Sequence, residues 1–262
     1  MNRQAAALIV LVSLASGCGP KDLPYTLPAN ELYDRGIEEL EDGEELKAIE
    51  ILQKIIYEYP GSEYIERARL KIAEAYFQSG DYLLASNEYE RFSKEFPMNP
   101  QAGASLYKAA IAHEKLSETH NLDQTETTKA LSLFKRVGEK FPGSVHSDSA
   151  LVRSYFLTDR LARKSFENGY FYYKRKYYDS AIIYFETMIT DFETTSWLAP
   201  AYLYLARAYD KLKLEDEARE ARLRLLEKYP LTLEAQEVRV VYPELVSGET
   251  TAPDDPGGGG TE

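Results

Sequence analysis

Along the chain, small residues open amphipathic segments and large apolar residues follow them at fixed distances. Ala48, Leu52, Ile55 and Pro60 lie at offsets 0, 4, 7 and 12. Ala85, Tyr89, Phe92 and Pro97 repeat those offsets, as do Ala130, Phe134, Val137 and Pro142. Ala181, Phe185 and Met188 come next, with Glu193 where the proline would stand. Ala218, Arg222, Leu225 and Pro230 close the series, and Arg222 interrupts its apolar row. Steps of about 4 and 7 residues keep side chains on one helix face, and a proline, lacking an N–H, stops the helix. A second row precedes the first: Gly36, Ala73, Gly169 and Ala206 lie 12 residues before their alanines, with Tyr76, Tyr172 and Tyr209 three further on. Each unit therefore predicts two helices that touch at small residues.

That arrangement is the tetratricopeptide pattern, and it predicts an all-α solenoid of about five helix pairs. The segment "RLKIAEAYFQSGDYLLASNEYERFSKEFP" (69–97) is its cleanest copy. The alanine spacings are 37, 45, 51 and 37, against about 34 in an uninterrupted repeat. The excess predicts a loop around 116–128 and a lengthened helix around 149–175. Asn99 ahead of Pro100 reads as an N-cap followed by proline at N1, and Ser62 as a second cap. Repeats 1–3 would occupy 30–145, and repeats 4–5 with a terminal segment 146–246. The stretch "SGETTAPDDPGGGGTE" (247–262) has no apolar face to bury and is expected to form a disordered tail.

The start of the chain follows another pattern. Arg3 is the only charge in residues 1–17, and "AAALIVLVSL" (5–14) is almost purely apolar, followed by Ala15, Ser16 and Gly17. This is the layout of a secretory signal peptide, and ten apolar residues rise only about 15 Å as a helix, too short to span a bilayer. The single cysteine, Cys18, follows at once. It has no partner for a disulfide, and the segment resembles a bacterial lipobox with Ala15 where leucine is commonest; ordinary cleavage near Gly17 is the alternative. A lipidated Cys18 would carry two or three acyl chains, enough for stable anchoring. Gly19 and Pro20 follow, rather than an aspartate resembling an inner-membrane retention signal. Pro20, Pro24 and Pro28 favour an extended tether over 18–29.

Charge and chemistry narrow the function. The net charge is −12, and removal of residues 1–17 makes it one unit more negative. Such a chain repels phosphate backbones, so no nucleic acid is expected as a partner, and the lipid is left as the natural membrane contact. His113, His120 and His146 are scattered, no glycine-rich phosphate loop follows a strand, and acid pairs such as Glu38–Glu39 sit on polar helix faces. No catalytic residues, no metal ligands and no cofactor beyond the covalent lipid are expected; the chain reads as a non-enzyme. One basic–aromatic cluster stands out, "YFYYKRKYY" (170–178). The helix dipole favours cations at a helix C-terminus, and Tyr and Arg are equally the residues of binding hot spots.

The combination resembles a known family. The lipobox, "NELY" (30–33), "YPGSEY" (59–64), "DRLA" (159–162) and "YYKRKYYDSA" (172–181) look like those of the BamD (YfiO) family of outer-membrane assembly lipoproteins. The resemblance covers roughly 18–230. It implies a scaffold of the BAM complex, lipid-anchored to the outer membrane and facing the periplasm, that assists insertion of β-barrel proteins. Implied partners are the periplasmic domains of BamA, other assembly-machinery lipoproteins and unfolded outer-membrane proteins. On the substrate side the resemblance points to Tyr33, Tyr57, Tyr64, Tyr76 and Tyr82; on the BamA side, to Lys174, Arg175 and Lys176. Glu193, Arg222 and the unmatched "LTLEAQEVRVVYPEL" (231–245) depart from the pattern, all of them in the docking half. A repeat scaffold of cell-envelope division, of the Tol–Pal-associated type, is the alternative, but no sustained heptad precedes Leu32.

Overall fold

The computed structural model describes residues 27–247. Cys18, the signal peptide, most of the tether and the tail from 248 lie outside them. Every regular element among the described residues is a helix. Five antiparallel pairs follow one another: α1 (Ala29–Glu41) with α2 (Glu45–Glu58), α3 (Ile65–Gln78) with α4 (Tyr82–Glu95), and α5 (Ala102–Leu116) with α6 (Thr125–Lys140). Then come α7 (Val145–Lys174) with α8 (Tyr178–Asp191) and α9 (Leu198–Leu212) with α10 (Glu215–Lys228). Two short helices, α11 (Leu233–Val241) and α12 (Glu244–Ser247), close the stack. Each helix packs chiefly on its neighbours in the chain, the arrangement of a solenoid.

The repeating residues are the ones that hold it together. Leu52, Ile55, Tyr89, Phe92, Phe134, Val137, Phe185, Met188 and Leu225 are all buried, and each such side chain contributes about 1.5–3 kcal/mol on leaving water. The upstream small residues are where the paired helices meet. A methyl added at Gly36 would lie 2.6 Å from Leu52, and one at Gly169 would lie 2.8 Å from Phe185. In the third pair the corresponding residue is Ala110, buried like Ala73 and Ala206, and His113 takes the place of the repeat tyrosine. The extra residues form the loop 117–124 and the start of α6.

That loop is built around one amide. Gln124 is buried, and its Nε2 donates to the carbonyls of Thr119, Leu122 and Asp123 at 2.9–3.2 Å. His120 Nε2 lies 3.1 Å from Glu167 of α7, and Lys164 donates to the Leu122 carbonyl. The loop is thereby tied to the second half of the longest helix.

At 30 residues α7 is about 45 Å long, and its two halves serve different cores. Ala150 and Leu157 pack with α5 and α6, whereas Ala162 and Phe166 pack with α8 and α9. Between those halves, Asp159 fixes the α8–α9 connection. Its carboxylate accepts from the Ser196 N–H at 2.9 Å, the Ser196 hydroxyl at 2.7 Å and the Trp197 indole at 3.1 Å. This is the part played by the "DRLA" aspartate, and the same linker replaces the missing proline at 193.

Helix starts differ in detail from the expectation. Asn99 Oδ1 accepts from the Gln101 N–H at 2.8 Å and Ser62 Oγ from the Tyr64 N–H at 3.2 Å, but α5 and α3 begin only at Ala102 and Ile65. Both side chains thus close a turn just ahead of the helix. Side chains that cap their own helix are Ser144 on α7 and Thr232 on α11.

Arg222, the apparent break in the repeat, is buried and does structural service. Its guanidinium pairs with Asp210 of α9, donates to Tyr242 Oη at 2.9 Å and lies 3.8 Å from that ring's centroid. The segment after Pro230 is held by it. Ala235 and Val238 of α11 bury against Ala199, Tyr202 and Leu203 of α9, with Tyr242 and Leu245 alongside.

Candidate partner-binding site

Grooves open between successive helix pairs. A cavity of about 660 Å³ runs past Tyr33 of α1, Arg67, Lys71 and Glu74 of α3, and Asn99–Gln101 ahead of α5. Tyr33 and Tyr64 meet at a tilt of 46° with centroids 5.4 Å apart, and Arg67 lies 5.7 Å from the Tyr64 ring. Glu74 is the electrostatic hinge of this region. It accepts from Lys71 of its own helix at 2.8 Å and from Lys108 of α5 at 3.0 Å. Burial acts to raise its carboxyl pKa, but the hydrogen bonds and charges of the two lysines hold it below the ordinary value. Lys108 also lies 5.4 Å from the ring of Tyr89, whose hydroxyl is pushed up by burial and then by the Glu74 charge.

A second opening of about 500 Å³ lies between α5 and the first half of α7, lined by Tyr107, Glu114, Val152, Arg153 and Phe156. Its polar groups satisfy one another: Arg153 donates to Tyr107 Oη at 2.9 Å and to Glu114 at 2.8 Å. Leu151, Val152, Tyr155 and Phe156 remain exposed on that helix. Periodicity alone does not mark this shelf, because its apolar residues differ from buried ones only in what packs on them.

The tyrosines named from the sequence fall into separate places. Tyr33 and Tyr64 are together at the first groove. Tyr76 is half-buried at the seam of α2 and α3, its hydroxyl raised by burial and neighbouring acids and partly relieved by Gln53. Tyr57 is 77% exposed on α2, and Tyr82 meets Phe77 edge to face with centroids 5.2 Å apart. The basic residues diverge as well. Lys174 lies 5.8 Å from the Tyr170 ring and Arg175 4.3 Å from the Phe171 ring, while Lys176 adopts a left-handed turn at φ 64°. Lys71, Glu74 and Lys108 were not singled out by sequence; the 34 residues between Glu74 and Lys108 hide a shared carboxylate.

Across α7 and α9 a row of rings touch one another. Phe166 lies 5.3 Å from Trp197 and 6.0 Å from Tyr170, and Tyr204 meets Tyr170 at 5.0 Å and Tyr173 at 5.2 Å. Among the described residues no three His, Cys, Asp or Glu side chains converge as a metal site would require, and no helix is long and apolar enough to cross a membrane.

The model of a family described as YfiO, outer membrane lipoprotein, matches residues 26–225. The chain belongs to that family. Its relatives include the outer membrane protein assembly factor BamD of Rickettsia prowazekii, 30% identical over 232 residues that span 88% of this chain and 92% of that protein. The BamD of Caulobacter vibrioides is 29% identical over 219 residues, spanning 82% of this chain and 72% of the relative. Among solved structures, the TPR2AB domain of yeast Sti1 in complex with pHSP90 aligns with 84% of this chain and 86% of its own at 16% identity and a TM-score of 0.40. The YfiO match covers all five helix pairs up to Leu225 and stops before α11.

Proposed function

We propose that the protein is a lipid-anchored scaffold of the β-barrel assembly machinery, facing the periplasm and performing no reaction of its own. Its work is to hold unfolded outer-membrane proteins and to dock on the periplasmic domains of BamA, next to other assembly lipoproteins. The observation that carries this reading is the family match over 26–225, together with relatives named as outer membrane protein assembly factors. The geometry suits the task. An extended strand presents side chains alternately, and the Tyr33–Tyr64 pair with Arg67, Lys71 and Glu74 gives it rings and fixed charges along one groove. Tyr57, Tyr76 and Tyr82 stand on the neighbouring surfaces of the first two repeats. At the other end Lys174, Arg175 and Lys176 offer cations at the α7–α8 turn for docking. Cys18 is the anchoring residue in this reading.

Depletion in the native host tests it. Loss of β-barrel proteins from the outer membrane is the expected result. Chained cells with a normal complement of barrels would overturn the proposal and favour an envelope-division scaffold.

A further inference from the structure

The first half of α7 has an inner and an outer face. Ala150, Ser154 and Leu157 are buried on the inner one, while Leu151, Val152, Tyr155 and Phe156 on the outer one are 50–73% exposed. Nowhere else among the described residues do four large apolar side chains stand exposed within six positions. At those exposures they present roughly 500 Å² of mostly apolar surface, toward the upper end of what a monomer leaves open. The patch is continuous. Leu151 with Tyr155 and Val152 with Phe156 form two i, i+4 rows side by side, and the Tyr155 and Phe156 rings meet with centroids 5.8 Å apart. One edge falls into the cavity of about 500 Å³ between α5 and α7, whose wall Val152 and Phe156 share with Tyr107.

We propose that this shelf docks a second copy of the chain, the two α7 helices crossing about a two-fold axis between residues 153 and 154. The layout of the patch is self-complementary. Its N-terminal end is aliphatic and its C-terminal end aromatic. A two-fold axis reverses one copy, so Leu151 meets Phe156 of the other copy and Val152 meets its Tyr155, large against small at every contact. The cavity beside Val152 admits that tyrosine ring. Rows of the i, i+4 kind interdigitate at a crossing angle of about 50°. This angle carries the helix ends apart and separates the exposed Asp148 from Asp159 of the other copy, its like-charged opposite across the axis. Arg153, close to the axis, already donates to Tyr107 and Glu114, so closing the interface buries no unpaired charge. Area sets the strength. A stable interface takes about 800 Å² from each partner; the shelf supplies somewhat over half of that as an apolar centre, and the polar edge of α5 supplies a rim. The association is therefore reversible. Each copy carries a net charge of −12, so long-range repulsion opposes it and salt strengthens it by screening. The inference does not depend on the assembly role.

Sedimentation velocity of the full chain carrying Cys18→Ser tests it. A monomer–dimer equilibrium in the micromolar range is expected, tightening several-fold between about 0.05 and 0.5 M salt, where the screening length shortens. Leu151→Ser/Phe156→Ser should weaken it at least about ten-fold with an unchanged urea midpoint, because both side chains are exposed in the single chain. Geometry is read separately by oxidation: a mixture of Leu151→Cys and Phe156→Cys chains should cross-link at least about three-fold faster than either chain alone. A monomer at every concentration would overturn the proposal and leave the shelf to a different protein. A dimer indifferent to the serine substitutions would overturn it by placing the contact elsewhere. Leu151→Cys chains that cross-link with themselves as fast as the mixture would overturn the two-fold arrangement.

Discussion

Replacing Arg222 by leucine restores the apolar character of its position, since Leu52, Tyr89, Phe134 and Phe185 stand at the same offset in the other pairs. From the repeat pattern alone the change should stabilise. The structure gives the opposite sign. A guanidinium over the Tyr242 ring is worth about 1–2 kcal/mol at a partly buried site. The charge-assisted hydrogen bond to the Tyr242 hydroxyl is worth about 1.5–3 kcal/mol. Leucine returns about 1.5 kcal/mol by burial, which leaves a net loss of about 2 kcal/mol. The loss falls on the segment that Arg222 holds, 233–247. Hydrogen exchange followed by mass spectrometry should show α11 and α12 opening about 30-fold more often, at 1.4 kcal/mol per tenfold, with α3 and α4 unchanged. Unaltered exchange in α11, or an equal rise through the whole chain, would refute the reasoning.

Further outcomes can be measured directly. Gly169→Ala forces a methyl to 2.8 Å from Phe185; overpacking costs about 1–3 kcal/mol against about 1 kcal/mol gained in helix propensity, so the urea midpoint should fall and Phe185→Leu should restore it. Glu74 has a folded pKa below the ordinary 4.5, so the stability it adds is present above the unfolded pKa and is lost as pH falls through the folded one; the gap in unfolding free energy between the parent and Glu74→Gln should close in acid below that value. A gap that stays constant down through that range would discount the two lysines as partners. Cys18→Ala should move the protein from the membrane pellet to the soluble fraction, and continued pelleting with outer membranes would remove the lipid anchor. Charge reversal at Lys174, Arg175 and Lys176 should reduce co-purification with BamA several-fold, and undiminished recovery would withdraw that docking role.

How far the chain could be read follows from which contacts are local. The offsets 0, 4, 7 and 12 placed the second helix of every pair, and Gly36 and Gly169 marked where paired helices touch, because 12 to 16 residues separate the groups involved. The arrangement of Tyr57 and Tyr76 was not readable. Both are tyrosines on amphipathic helices, yet one faces solvent and the other fills a seam, since that depends on the next pair and not on their own helix. Asp159 reaching Trp197, Lys108 reaching Glu74 and Arg222 reaching Tyr242 join residues 20 to 38 positions apart. No period in the sequence encodes such pairings.

By itself, then, the sequence determined that helices form, where most of them stop and that they pair around small residues. Backbone propensity, proline and one-face periodicity act within a few turns of chain, so their record is local. Only the tertiary structure decided that α7 belongs to two cores, that the 117–124 loop ties repeat three to repeat four, and that a row of rings meets across α7 and α9. Those outcomes depend on how rigid pairs stack, and burial is settled by whichever neighbour arrives on the open face.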